Sequence, residues 1–397
     1  MSDRLLRARG GGHEAGRVTY VELFFDLVFV FAITQLSHTL LHDSSPKGWL
    51  ETGILLLGVW WQWIDTAWVT NWLNPERRPV RVALLALMLA SLVISTSLPT
   101  AFTDRAVVFG LAYGLTHIAR SAFMLWAGHS NRPVRGTFIR LLIWHLIIAA
   151  AWAFGAFTDE HTRLWVWGGA ILFESCGALA GFWLPFIGRA HSADWNVEGA
   201  HLAERCALFI IIALGESILS TGASAAGLAS TPLNWTAFAV AFLGSVAMWW
   251  IYFSNVVELG AQRISHATDP GALARSAYTY LHIPIVAGII VTAVGDEKVL
   301  HHPTGHADAS TIAVILIGGG LYLLGAALFK YAISGKVSAP RVAGLLAMGA
   351  LWPVAGHLSP LALSGATTAV MVIVAAWEGW LIAHGAHGAE AAERAKA

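Results

Sequence analysis

Runs of about twenty apolar residues, divided by short loops that hold most of the lysine and arginine, recur along the whole sequence. A helix needs roughly 20 such residues to cross the ~30 Å hydrocarbon core of a bilayer. Repetition at this spacing leaves few folds open, because a lipid-embedded backbone must satisfy its hydrogen bonds within each segment. The predicted fold is all-α, a polytopic transmembrane helix bundle of about twelve spans. They are placed at 20–42, 49–71, 80–99, 106–127, 137–157, 164–187, 202–222, 235–257, 276–295, 310–334, 340–357 and 361–384. Composition agrees. The 397 residues are 56% hydrophobic and 12% charged, with a mean hydropathy of +0.62, whereas soluble domains carry about 25% charged residues.

Lysine and arginine placement gives an orientation. With the N-terminus inside, all of the 24 basic residues except Lys47, Arg105, Arg163, Lys298 and Arg120 fall on the cytoplasmic side. That cytoplasmic set runs from Arg4, Arg7, Arg9 and Arg17 through Arg205 and Arg341 to Arg394 and Lys396. Residues 1–19 then form a cytoplasmic N-terminal segment, 20–190 a first membrane half, 201–384 a second half and 385–397 a cytoplasmic tail. The first apolar run is too long and too acidic at its start for a cleavable signal. The location expected is a membrane, multi-pass, with both termini cytoplasmic.

The two halves align as a parallel repeat of six plus six spans. Glu22 of the first span matches Glu204 of the seventh, and LGVWWQWIDTAW matches LGSVAMWWIYFSN with Asp65 set against Ser254. The loops that follow, NPERRPVR and DPGALAR, share their arginines. Transporters are often built from such repeats, with a site between them.

Charged groups inside spans are the functional candidates. On the first helix Asp26, Ser37, Thr34 and His38 share one polar face with Glu22, at about 100° per residue. Glu22 by itself reads as a solvated cap at the helix start. Arg120, three residues after His117, requires acceptors among Asp26, Asp65, Glu174 and Glu216, or else snorkels to the headgroups. Glu174 and Glu216 are candidate relay carboxylates. His282 precedes Pro284, which frees a backbone carbonyl and breaks the helix. His145 and His357 read as core histidines, and His301, His302 and His306 as a solvated loop. Cys176 and Cys206 read as buried free thiols without a disulfide or zinc site.

Several classes are disfavoured. Zero net charge argues against nucleic acid. No phosphate-binding glycine loop, paired CxxC or HExxH is present, so no cofactor is expected.

VELFFDLVFVFAITQLSH, WWQWIDTAWVTNW, AERCALFIIIALGESI and HIPIVAGIIVTAVGDEKVLHHP together resemble the bacterial low temperature requirement protein A (LtrA) family, over residues 17 to 303. The resemblance implies a polytopic bacterial inner-membrane protein, and it implies no reaction. Cys206 departs from the small or polar residue usual in the family, which weakens any role for that position. The leading expectation is a carrier or channel-like protein for a small solute or ion, coupled to protons. Its path would be lined by Asp26, Thr34, His38, Asp65, His117, Arg120, Glu174, Glu204, Glu216 and His282. The alternatives are an intramembrane enzyme acting on lipid or isoprenoid substrates, and a non-transporting membrane protein of cold or stress adaptation. The partners expected are the lipid bilayer and an unknown small solute or ion, and a homo-oligomer stays open.

Overall fold

Side-chain caps and first-turn prolines set where the helices begin. Ser45, Asn131, Asp159, Thr231 and Asp308 each accept a backbone N–H three residues on, satisfying donors that the first turn leaves unpaired. Pro46, Pro133, Pro232 and Pro340 sit in first turns, where a missing N–H is harmless. The computed structural model describes residues 5–7, 17–191, 195, 197–254, 260, 263–264 and 267–394, the last ten of them by backbone only. Arg4, Arg9 and Lys396, used above for orientation, lie outside the described residues.

The helices are α1 (Tyr20–His42), α2 (Pro46–Trp72), α3 (Arg78–Ser97), α4 (Ala106–Ala127), α5 (Arg132–Ala156), α6 (Glu160–Leu179), α7 (Gly199–Ala226), α8 (Pro232–Phe253), α9 (His282–His301), α10 (Ala309–Ser334), α11 (Ala339–Leu351) and α12 (Pro360–Arg394). Each expected span overlaps one of them, but 164–187 runs beyond the end of α6, 276–295 begins upstream of α9, and 255–257 lie outside the described residues. The chain is all-helical among the described residues, apart from isolated bridges such as Leu6 to Leu73. Among the described residues nine helical stretches are long and apolar enough to cross a membrane; α2, α6 and α11 do not meet that description. All three carry charge, including Glu51 and Asp65 on α2, Arg163 and Glu174 on α6 and Arg341 on α11, and α11 has only 13 residues before a 3-10 segment, Trp352–His357.

The helices gather into two compact units, Met1–Ile212 with Ala261–Ile283, and Ala213–Gly260 with Pro284–Ala397. In the first, α4 packs against α5 and α3, α1 against α2 and α3, and α2 against α4 and α6. Its core is aromatic: Trp60, Trp63, Trp152 and Trp167 are fully buried, with Trp63 and Phe209 ring centres 4.2 Å apart. The outward faces of α1 and α3, with Phe24, Leu27, Val82 and Leu89, are exposed and apolar, as a lipid-facing surface must be.

In the second unit, α12 packs on α8, α11 and α10. A Cβ on Gly288 of α9 would strike the Tyr322 backbone of α10, and one on Gly318 would strike Thr292. Small residues thus let α9 and α10 meet backbone to backbone. The Tyr322 hydroxyl donates to the Met248 carbonyl.

The predicted break near Pro284 is displaced toward the N-terminus. Ala274–Tyr280 is a π-helical turn and α9 restarts at His282. Pro284 cannot donate to the carbonyl four residues back, and the chain upstream widens instead, with Leu281 N–H reaching Ser276 at 3.2 Å. Side chains satisfy the displaced carbonyls. Trp60 donates to Thr279 O at 2.8 Å, and His282 Nδ1 lies 2.9 Å from Ala277 O.

Candidate functional site

Trp61, Asp65, Trp68 and Trp72 recur at helical spacing on α2 and share a face. That face lines a cavity in the first unit, together with Arg120, Ser121, His145 and Arg275. The cavity volume is about 50 Å³, room for a few waters or one small ion at roughly 10–15 Å³ each.

Arg120 is buried and paired rather than snorkelling. Its Nη2 lies 2.7 Å from Asp65 Oδ2 and 2.7 Å from His117 Nδ1. Its Nη1 reaches Gln62 Oε1 at 3.3 Å and Thr66 Oγ1 at 3.4 Å. Since a guanidinium only donates, His117 Nδ1 accepts and its Nε2 carries the hydrogen. That Nε2 faces Glu174 Oε1 at 3.3 Å, and the Tyr113 hydroxyl donates to Glu174 Oε2 at 2.7 Å. His145, read from sequence as a core histidine, belongs to the same cluster. Its Nε2 is 3.5 Å from Asp65 Oδ2 and its Nδ1 2.7 Å from Ser121 Oγ. Among the described residues, Asp65, His117 and His145 are the group whose ligand atoms lie close enough to share an ion, all within 4.8 Å of one another.

A second network joins α1 to α7. Glu22 is fully buried, not the solvated cap expected, although it does cap the helix through Thr19 at 2.8 and 2.9 Å. Arg7 at 3.1 Å, His201 at 2.9 Å and Arg205 at 3.2 Å surround it. Asp26 accepts from Arg205 at 2.6 Å and from Trp63 at 2.8 Å. Arg205 also donates to Thr70 and lies over the Trp63 ring. Arg205, counted among cytoplasmic charges, is therefore an interior residue and the bridge between two carboxylates.

The remaining candidates scatter. Thr34 is half-buried and bonds its own helix at Val30 O, while His38 is exposed, so the polar face drawn on α1 divides. Glu204 is half-buried and accepts from Val18 N–H at 3.1 Å. Glu216 is buried and belongs to the second unit. His282 is buried, stacked near Trp60 and Tyr278. Cys206 is buried, whereas Cys176 is exposed, contrary to expectation. In the second unit Arg341, also counted among cytoplasmic charges by sequence, is buried and bonded to Glu378 at 2.8 and 2.9 Å, with Lys330 2.8 Å from the same carboxylate.

Sequence reasoning missed Arg7, Tyr113, His145, His201, Arg205, Arg341 and Glu378. One signal was present for two of them. Arg205 and Glu378 lie within apolar helical runs, AERCALF and AAWEGW, where an unpaired charge is costly.

No solved structure matches this chain. An uncharacterized protein of Rhizobium meliloti (strain 1021) is 35% identical over 364 residues, covering 91% of this chain and 89% of that protein. Residues 17–376 match the bacterial low temperature requirement A protein (LtrA) profile, and the chain, a multi-pass membrane protein by its apolar helices, belongs to that family.

Proposed function

We propose that this protein is a carrier or channel-like protein that moves a small solute or ion through its first unit, coupled to protons. The observation that carries the reading is the Arg120–Asp65 pair with His145 on the wall of a small cavity, and His117 bonded to that pair from within the bundle. Ionisable groups held inside a membrane bundle mark ion and proton paths. In this reading all twelve segments cross an inner membrane, with both termini cytoplasmic and two six-span halves in parallel. Length permits this for α2 and α6, since a helix of about twenty residues already matches the hydrocarbon core. Polar residues lower their hydropathy because they face the protein interior rather than lipid. The test is purified protein in liposomes carrying a pH-sensitive dye. An imposed gradient should dissipate faster than in empty vesicles, and Asp65→Asn should abolish the difference; equal decay with and without protein would sink the carrier.

A second reading has its own observation. An apolar groove of about 310 Å³ is lined by Leu73, Val80, Leu84, Leu87, Leu115 and Phe123, with Arg120 among its lining residues. An enzyme acting on a lipid or isoprenoid chain would need such a side opening beside its acid–base groups. Lipid extracts that are chemically altered after incubation with the protein would favour it.

A further inference from the structure

We infer that Asp65, His117 and His145 form a binding site for one divalent transition-metal ion, and that Arg120 is the built-in cation with which the metal competes. Taking the ion as cargo rests on the carrier reading above; the site itself does not.

The geometry comes first. Tetrahedral sites with bonds of about 2.0–2.1 Å set neighbouring ligand atoms roughly 3.3–3.4 Å apart. Asp65 Oδ2 lies 3.3 Å from His117 Nδ1 and 3.5 Å from His145 Nε2. Two imidazoles and one carboxylate suit zinc, iron(II) or cobalt(II) rather than calcium or magnesium, which prefer all-oxygen shells. The cavity, lined by Asp65 and His145, supplies the open side where water completes the shell.

The supporting groups are also in place. Ligating histidines usually present their second nitrogen to a carboxylate or another fixed acceptor, which sets the tautomer. His117 Nε2 lies 3.3 Å from Glu174 Oε1, close but not hydrogen-bonded while Arg120 holds Nδ1, and Glu174 is itself held by Tyr113 at 2.7 Å. Ser121 stands 2.7 Å from His145 Nδ1, leaving Nε2 directed at Asp65.

A positive charge already occupies the position. Arg120 Nη2 is 2.7 Å from both Asp65 Oδ2 and His117 Nδ1, two of the three proposed ligand atoms. Metal and guanidinium therefore exclude each other. Gln62 and Thr66, already 3.3 and 3.4 Å from Nη1, are neutral acceptors onto which the displaced arginine would settle.

Cobalt(II) titration of the detergent-purified full chain tests the site, read by the visible absorption of four-coordinate cobalt. Wild type should show a band that saturates at one ion per chain and that zinc bleaches. His145→Ala should abolish it, while the His301→Ala/His302→Ala pair should leave it unchanged. Arg120→Gln should shift the half-saturation point at least tenfold lower, a gain that a merely structural arginine would not produce. No band in wild type up to millimolar cobalt, or a band that survives His145→Ala, overturns the inference. His145→Ala strands no charge, so that comparison decides even if Arg120→Gln fails to fold. Cobalt uptake into liposomes separates the two proposals. Binding without cobalt or proton flux leaves the site standing and removes the carrier. Proton flux without binding does the reverse.

Discussion

Removing Arg205 should be among the most damaging single changes in the first unit, and the structure says which second change repairs it. Arg205 is fully buried and bonds Asp26 at 2.6 Å, Glu22 at 3.2 Å and Thr70 at 3.1 Å. Without it Glu22 keeps Arg7, His201 and Thr19, but Asp26 keeps, among the described residues, only the Trp63 indole. Breaking a buried ion pair from one side costs about 3–5 kcal/mol, because the remaining charge is left in a medium that cannot solvate it. Arg205→Met should therefore lose roughly that amount. Arg205→Met/Asp26→Asn removes the stranded charge and should recover about 2–3 kcal/mol of it, the coupling expected of residues in one network. Arg205→Met/Glu22→Gln should recover much less, since Glu22 still has Arg7 and His201 beside it. The assay is unfolding by sodium dodecyl sulfate in maltoside micelles, followed by the fluorescence of the 19 tryptophans. If the Asp26 double variant is no more stable than Arg205→Met, or if the two double variants recover equally, the assignment of the loss to Asp26 is wrong.

Four further outcomes are expected. Glu378→Gln should destabilise the second unit by about 3–5 kcal/mol, because Arg341 is buried against it, and Arg341→Met/Glu378→Leu should be closer to wild type in the same titration. Gly288→Leu should clash with the Tyr322 backbone and cost about 1–3 kcal/mol or more, seen as a lower midpoint or loss of folded protein by size exclusion. Trp60→Phe leaves the Thr279 carbonyl unbonded at the π-helical turn, a loss of about 1–3 kcal/mol; faster hydrogen exchange confined to 274–281 would identify the site. Asp308 caps α10 by accepting from Thr311 N–H, which holds its carboxyl below the usual range. A depressed carboxyl adds stability above its unfolded value, near pH 3.8, and loses it as the pH falls through the folded value. Asp308→Asn should keep the cap, remove that acid-limb dependence and hold the melting temperature at neutral pH, whereas Asp308→Ala should lower it by about 1 kcal/mol in equivalent stability.

Helix positions were legible because lipid-scale apolar runs have a period and a length that few alternatives satisfy. The partners were not. Arg120 came out of the sequence with four candidate acceptors, and the choice of Asp65 depends on the packing of α2 against α4, 55 residues apart. Charge bias between loops assigned Arg205 and Arg341 to the cytoplasm, because it weighs where a charge falls along the chain and not what it meets. Glu22 shows the same limit from the other side: its cap was readable locally, while its burial depends on Arg205, 183 residues on. His145 looked like an ordinary core residue because a ligand-like histidine has no local signature without its neighbours.

The separation of these pairs along the chain also bears on how the protein is made. Asp65 precedes Arg120 by 55 residues and Asp26 precedes Arg205 by 179. A ribosome emits roughly 5–20 residues per second, so the first wait is about 3–11 s and the second about 9–36 s. During that wait each carboxylate lacks the guanidinium it pairs with in the folded chain, and an aspartate at the centre of a lone helix opposes insertion by about 2.5–3.5 kcal/mol. α2, with Gln62, Asp65 and Asn71 on one helix, is poorly suited to enter lipid by itself. Of the helices it packs against, α1 precedes it, while α4 and α6 follow. If α2 crosses the membrane as proposed, its insertion would wait on later helices, and slowing synthesis between residues 65 and 120 should lengthen the time α2 remains accessible to the aqueous side.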